Sequence, residues 1–372
     1  MSTLIIEDVK LTVFRRPEPG HARSAMIKGQ STMKLLTEIV AVQITTDEGV
    51  TGETFSLGGG MGMAHYLAST MKPALIGRNP ADREAIWQDL WDLSRLWFPP
   101  LFALGTVDVA LWDLYAKSVN SPIHEVLGTY RRKIPAYASS MTKENVGEFV
   151  EEALKYKERG YQGYKLHVWA EPDRDIEACI AVREAVGDSY PLMIDVVAGY
   201  NQQDALRVGR VLDELKFLWY EEPLRDYDLH GYRMLSEKLN VAVCGGETNE
   251  GGLYSRAELV SSRAVDIVRG DPSFTYGIGH TRKIAALAEA FGINFEVHTN
   301  PNPMMDAAGL QVALSVKNTS FFEQLVPESL YNFGVEEPVF IDDEGFAHAP
   351  DGPGLGLKID WDFVNRYKIA EL

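Results

Sequence analysis

Between Tyr164 and Glu323, charged residues close short apolar runs at a nearly constant interval. Lys165 and His167 end Gly-Tyr-Lys-Leu-His, Asp195 ends Pro-Leu-Met-Ile-Asp, and Glu221 ends Phe-Leu-Trp-Tyr-Glu. Glu247 ends Val-Ala-Val-Cys-Gly-Gly-Glu, and Asp271 follows Val-Asp-Ile-Val-Arg-Gly. His298 ends Ile-Asn-Phe-Glu-Val-His, and Glu323 follows Ser-Phe-Phe. From Lys165 the steps are 30, 26, 26, 24, 27 and 25 residues. A β/α barrel of roughly 200–250 residues uses about 25–30 residues for each strand and helix. Each charge is therefore expected at the C-terminal end of a successive barrel strand, the rim on which such folds carry their chemistry.

The chain ahead of this stretch reads differently. Leu4 to Phe14 alternates apolar and polar residues as a strand, Leu36 to Thr45 does the same, and Asp47-Glu48-Gly49 is a turn into a third strand. Arg15 to Ser31, with His21, Arg23 and Lys28, has no periodicity and reads as a loop. The glycine-rich run Ser56 to Met63 lacks a following Gly-Lys-Ser/Thr and a surrounding βαβ unit, so it does not read as a phosphate cradle. A mobile lid is the expectation there. Two amphipathic helices follow, from Asn79 to about Leu96 and from Ala103 to Val119. Asp108 and Asp113 on the second are expected to make helix-surface or inter-domain hydrogen bonds. The pattern breaks at Gly128–Lys133, and from Ile134 strands alternate with helices, the rhythm of a parallel sheet. From Tyr331 the chain becomes polar and rich in proline and glycine.

A net charge of −17 disfavours nucleic acid as a partner, since a polyanion would be repelled. No apolar stretch approaches the ~18 residues that span a bilayer, so no membrane partner is expected. Cys179 and Cys244 are too few for a disulfide framework. The first residues show no basic segment leading into a long apolar run. A cytoplasmic location is the expectation.

Asp195, Glu221 and Glu247 come from three consecutive strand ends, so they converge on one part of the rim. Three converging carboxylates repel one another unless a cation neutralises them, and hard oxygen ligands of this kind suit Mg²⁺. Glu222 points the other way from Glu221 along a strand and is expected to play a supporting part at the substrate. Asp271 and His298 occupy the next two strand ends. A carboxylate on a histidine fixes its tautomer and raises its basicity, as a general base requires. Lys165 and His167 alternate on one strand and face the same side. A substrate carbon held at the metal would thus meet an ionisable group on each face.

These residues resemble the enolase superfamily, in its mandelate racemase subgroup, along nearly the whole chain. The resemblance rests on Ala-Leu-Trp-Asp at 110–113, Lys-x-His at 165–167, Leu-Met-Ile-Asp at 192–195, Glu-Glu-Pro at 221–223, Gly-Glu at 246–247, Asp271, His298, Glu323 and the Pro-Gly-Leu-Gly from Pro353. It implies an α/β fold: a modified TIM barrel, (β/α)7β, over residues 131–330. An N-terminal α+β capping domain would span residues 1–130, with residues 331–372 packing back on it. It also implies that Asp195, Glu221 and Glu247 hold Mg²⁺, which stabilises the enediolate formed when a proton leaves the carbon α to a carboxylate. His298 with Asp271 would serve one face, Lys165 and its partner His167 the other, and Glu323 would hydrogen-bond the carboxylate. Loops around His21, Arg23 and Gly58–Gly60 would close over the substrate. Three departures stand out. His167 replaces the commoner second lysine, Val197 replaces an asparagine, and Gly270-Asp271-Pro272-Ser273 with Tyr276-Gly277 replaces Gln-Pro-Asp and a Gly-Gly pair. A histidine at 167 suits an acid for a leaving hydroxyl. The expected activity is therefore an acid-sugar dehydratase, a carbon–oxygen lyase giving a 2-keto-3-deoxy acid. Racemisation, epimerisation or cycloisomerisation of a lactone or anhydro sugar is the alternative, and a metal-binding barrel without catalysis a third reading. The expected partners are a small carboxylate substrate and further copies of the chain in a homo-oligomer.

Overall fold

The computed structural model describes residues 4–16, 37–97 and 100–372. Strands β1 (Ile6–Arg15), β2 (Glu38–Thr46) and β3 (Thr51–Phe55) precede helices Gly60–Tyr66, Arg83–Trp97 and Phe102–Ser118. Eight short strands then alternate with helices: β4 (Lys133–Ser139), β5 (Tyr164–His167), β6 (Leu192–Asp195), β7 (Trp219–Glu221), β8 (Ala242–Gly245), β9 (Ile267–Gly270), β10 (Asn294–Val297) and β11 (Phe322–Leu325). β12 (Phe346–His348), the helix Trp361–Arg366 and β13 (Lys368–Glu371) follow.

The eight alternating strands form one parallel sheet in the order β10-β9-β8-β7-β6-β5-β4-β11, so the chain winds once round a nearly closed barrel. Strands such as Leu192–Asp195 are buried at every position, as expected where helices cover one face of the sheet and the barrel interior fills the other. The covering helices present apolar stripes. Phe149, Ala153 and Tyr156 line the inner face of Val146–Glu158, whose start is capped by Asn145 accepting the Glu148 N–H at 3.2 Å. Among the described residues β10 and β11 share no backbone ladder. The Glu296 carboxylate fills that seam, accepting the N–H groups of Ser320 (2.9 and 3.1 Å) and Phe321 (3.2 Å). Burial pushes its pKa up to about 7.

The second sheet is antiparallel, in the order β13-β1-β2-β3. The architecture is the expected α/β barrel with an α+β cap. The glycine-rich run departs from the sequence reading, because its second half is the helix Gly60–Tyr66 with Met63 and Ala64 buried. Gly60 has φ +48°, and a Cβ there would come within 2.5 Å of the Glu38 carboxylate. The glycine serves close packing against β2. His21 and Arg23 lie outside the described residues. Among those residues no helix is long and apolar enough to cross a membrane.

The helix Phe102–Ser118 joins the two sheets. Asp113 accepts the N–H groups of Glu53 and Leu355, each at 2.8 Å, and pairs with Lys117 at 2.7 Å. Asp108, 5% exposed, reaches the barrel at Gly277. Gly277 has φ +125°, and any Cβ there would collide with the Asp108 carboxylate. Asp108 thus makes an inter-domain contact of the kind expected, while Asp113 ties its helix to β3 and to the C-terminal segment. Burial raises the Asp108 pKa to about 7, against the opposing pull of Arg83 and the N–H groups of Gly279 and Ile278. A carboxyl whose folded pKa lies above its unfolded value binds a proton more tightly when folded, so its contribution to stability is lost as pH rises through the folded pKa. Asp108→Asn removes that loss. Its stability relative to the parent is expected to rise by roughly 2–3 kcal/mol between pH 5 and pH 8. Urea unfolding at the two pH values measures the difference; a pH-independent gap would contradict it.

Candidate active site

The C-terminal ends of β5 to β11 bring the sequence-predicted residues into one contact network. Lys165, fully buried on β5, donates to Glu323 Oε1 at 2.8 Å and Glu221 Oε1 at 2.9 Å, and lies 3.5 Å from Asp195 Oδ2. His167, two residues along the same strand, sets Nε2 3.1 Å from Asp195 Oδ2. His298 follows β10, with Nδ1 2.9 Å from Asp271 Oδ2 and Nε2 3.1 Å from Glu247 Oε1. Asp271 is itself fixed. Its Oδ1 accepts Ser273 N (2.6 Å), Phe274 N (3.1 Å) and Asn300 Nδ2 (2.8 Å). The Gly-Asp-Pro-Ser departure therefore keeps the aspartate and supplies it with turn N–H donors.

Backbone conformation aims the carboxylates. Val197 and Ala198 have φ +53° and +58°, and Glu222 has φ +40°. These left-handed values are unusual for any residue with a side chain, most of all a β-branched valine. They point Val197 N at Asp195 Oδ1 (2.8 Å) and Ala198 N at the Glu222 carbonyl (2.7 Å). Val197 itself offers Asp195 only this main-chain donor, its side chain being apolar. Glu222 turns away from Glu221 into the protein and accepts Glu247 N at 3.0 Å. Burial, with Asp195 and Asp226 nearby, raises its pKa to about 8.

One functional residue escaped the periodicity. Arg269, fully buried on β9, sets Nη2 2.6 Å from Glu323 Oε2, 3.0 Å from Glu221 Oε1 and 3.7 Å from Glu247 Oε2. Its signal was an arginine inside an apolar strand, two residues before Asp271 and so on the same side. Trp219 on β7 likewise donates Nε1–H to Glu221 Oε2 at 2.8 Å.

The electrostatics follow from these distances. Burial alone would lower the Lys165 pKa, but Glu221 and Glu323 outweigh it and hold the ammonium well above the usual range. Burial raises Glu323 while Lys165 and Arg269 pull it well below the carboxylate range. Asp195 is likewise lowered, by His167 and Lys165 against burial. Glu247 is the exception: burial raises it well above a normal glutamate, with too little cation nearby to offset that. Its Oε2 is buried and accepts no hydrogen bond. One oxygen each from Asp195, Glu221 and Glu247 can be chosen within 4.8 Å of one another. An oxygen trio with an orphaned, under-neutralised member fits a hard divalent cation. His298 completes the picture. Burial lowers its pKa, and Glu247 and Asp271 more than restore it, leaving it raised.

Comparison with known proteins agrees with this geometry. Residues 148–363 match the family described as enolase C-terminal domain-like, and residues 12–128 match the mandelate racemase / muconate lactonizing enzyme N-terminal domain. The chain is 29% identical to an arabinonate dehydratase of Saccharolobus solfataricus, over 89% of this chain and 91% of that protein. It is 28% identical to a 3,6-anhydro-alpha-L-galactonate cycloisomerase of Streptomyces coelicolor, over 98% and 100%. A D-glucarate dehydratase from Agrobacterium tumefaciens, solved in complex with magnesium, superposes with a TM-score of 0.89 at 33% identity, covering 99% and 100% of the two chains.

Adding Mg²⁺ to metal-stripped protein is expected to raise the melting temperature in a concentration-dependent way, by the equivalent of about 2.7 kcal/mol at a hundredfold excess over Kd. Glu247→Gln should abolish the shift. A parent protein indifferent to divalent ions in scanning calorimetry would contradict the charge reading of the trio.

Proposed function

The chain belongs to the mandelate racemase / muconate lactonizing enzyme family, and from that premise we propose that it is a Mg²⁺-dependent acid-sugar dehydratase. The observation that supports this most is the pair of histidines on the rim: His298 backed by Asp271, and His167 where a second lysine is commoner. Asp195, Glu221 and Glu247 would hold the Mg²⁺, which would supply Lewis-acid stabilisation of the charge a substrate carboxylate gains when its α-proton leaves.

The protein's own groups do the rest. Lys165, fully buried against Glu323 and Glu221, serves as a donor to the substrate carboxylate. Glu323 aligns Lys165 and Arg269 beneath that carboxylate. Asp271 keeps the proton on Nδ1 of His298, so Nε2 is the proton acceptor, and the aspartate stabilises the imidazolium that forms. His298 Nε2 removes the α-proton, and the Cα–H electrons pass into the enediolate. His167 then delivers a proton to the β-hydroxyl as the Cβ–O bond breaks, releasing one water. The resulting enol tautomerises to the 2-keto-3-deoxy acid. Cycloisomerisation, the activity named for one relative, begins with the same proton removal but keeps every oxygen in the product.

The test is product analysis on a panel of mono- and dicarboxylic sugar acids with Mg²⁺. A keto acid one water lighter than its substrate supports the dehydratase, and an isomer of unchanged mass supports the cycloisomerase. His298→Asn is expected to lower kcat by about 10²–10⁴-fold. His167→Asn should block elimination while leaving α-proton exchange in D₂O. Parent-like turnover by His298→Asn would refute the assignment.

A further inference from the structure

Glu247 stands two residues beyond β8, on a loop that runs to the helix Leu253–Ser261. From that helix Arg256 turns back under the loop. It is fully buried, and all four of its hydrogen-bond partners among the described residues are neutral oxygens. Nη2 donates to the main-chain carbonyl of Glu247 at 2.7 Å. Nη1 donates to the carbonyl of Asn249 and lies 3.4 Å from that of Gly252 and 3.3 Å from Ser255 Oγ. Its Nε is buried without a partner. A guanidinium taken out of water without a carboxylate beside it is an expensive arrangement. Its planar fork is suited to gathering several carbonyls at once.

Two other arginines gather carbonyls in the same manner, at the opposite end of the barrel. Arg183, 5% exposed, donates to Leu215 O (2.8 Å), Gly187 O (2.7 Å), Tyr190 O (2.7 Å) and Lys216 O (3.2 Å), just ahead of β6 and β7. Arg131 donates to Thr319 O (2.5 Å), Val316 O (3.1 Å) and Lys317 O (2.8 Å), ahead of β11. The N-terminal face of a β/α barrel bears on stability and the C-terminal face on chemistry. Arg256 is the member of this set on the chemical face, and one of its carbonyls belongs to a predicted metal ligand.

We propose that Arg256 is a positioning residue for the divalent-cation site: it fixes the main chain at Glu247, and through it the direction in which that carboxylate meets Asp195 and Glu221. The proposal rests on the metal reading given above. It implies that metal affinity, more than global stability, depends on this side chain, because outer partners that orient a ligand are typically worth 10–100-fold in affinity.

The test is calorimetric titration of Mg²⁺ into the metal-stripped full chain, with melting temperatures of the metal-free proteins measured in parallel. Arg256→Met is expected to weaken Mg²⁺ binding about 10–100-fold. Arg256→Lys, which keeps the charge but lacks the fork, should weaken it about tenfold and serves alone should the methionine variant fail to fold. Arg183→Met is expected to lower the melting temperature and leave Mg²⁺ affinity within twofold of the parent. Parent-like Mg²⁺ affinity in the Arg256 variants overturns the proposal, as does equal weakening in Arg183→Met, which would make the effect one of general stability. A parent protein that binds no Mg²⁺ overturns the metal reading, and the positioning role with it.

Discussion

Carboxylates crowded together where water is scarce repel one another, and the site is built around offsetting that repulsion. Asp195, Glu221, Glu247 and Glu323 share one end of the barrel, all nearly or wholly shielded. Lys165 and Arg269, each fully buried, reach Glu221 and Glu323 from within the sheet. Neither cation has another reason to be inside a barrel, since an unpaired buried charge costs several kcal/mol. The compensation is uneven. Glu221 and Glu323 are saturated with donors, whereas Glu247 keeps an oxygen without one, and there a metal ion would do the remaining neutralisation.

That unevenness separates the roles of the rim. The side carrying Lys165, Arg269 and Glu323 is buried and densely ion-paired, suited to gripping a carboxylate. The side carrying His298 and Asp271 is held by hydrogen bonds. His167 stands beyond Asp195. The barrel supplies this division through connectivity alone, because consecutive strands are neighbours and each contributes at least one group near its C-terminal end. The cap is fastened to the same rim: Asn302, four residues after His298, donates to the carbonyls of Phe55 (3.2 Å) and Ser56 (2.9 Å). The loop after His298 is thus tied to the end of β3 in the second sheet.

Much of this was readable from spacing. Steps near 26 residues placed Lys165, Asp195, Glu221, Glu247, Asp271, His298 and Glu323 on successive strands, because a βα unit has little freedom in length. Spacing does not report what lies between the marks. Arg269 sits within a strand and Arg256 within a helix, where an isolated arginine reads as an ordinary surface charge until the fold buries it. The Glu296 seam was equally hidden, since only the closed sheet shows that β10 and β11 lack a ladder. The glycine run from Ser56 to Met63 reads as a mobile lid in sequence, but glycine also signals close approach, which the sequence cannot distinguish. Here Gly60 faces the Glu38 side chain, a contact between segments more than twenty residues apart. The His167 substitution was visible at once, and its meaning depends on the distance to Asp195 that only the structure supplies.

The most direct measurement is a crystal structure of the protein grown with Mn²⁺ and located by anomalous scattering. One ion per chain is expected, bonded to one oxygen each of Asp195, Glu221 and Glu247, with Lys165 and Arg269 still on Glu323. An ion seated elsewhere, or no ion at the trio at saturating Mn²⁺, would contradict it.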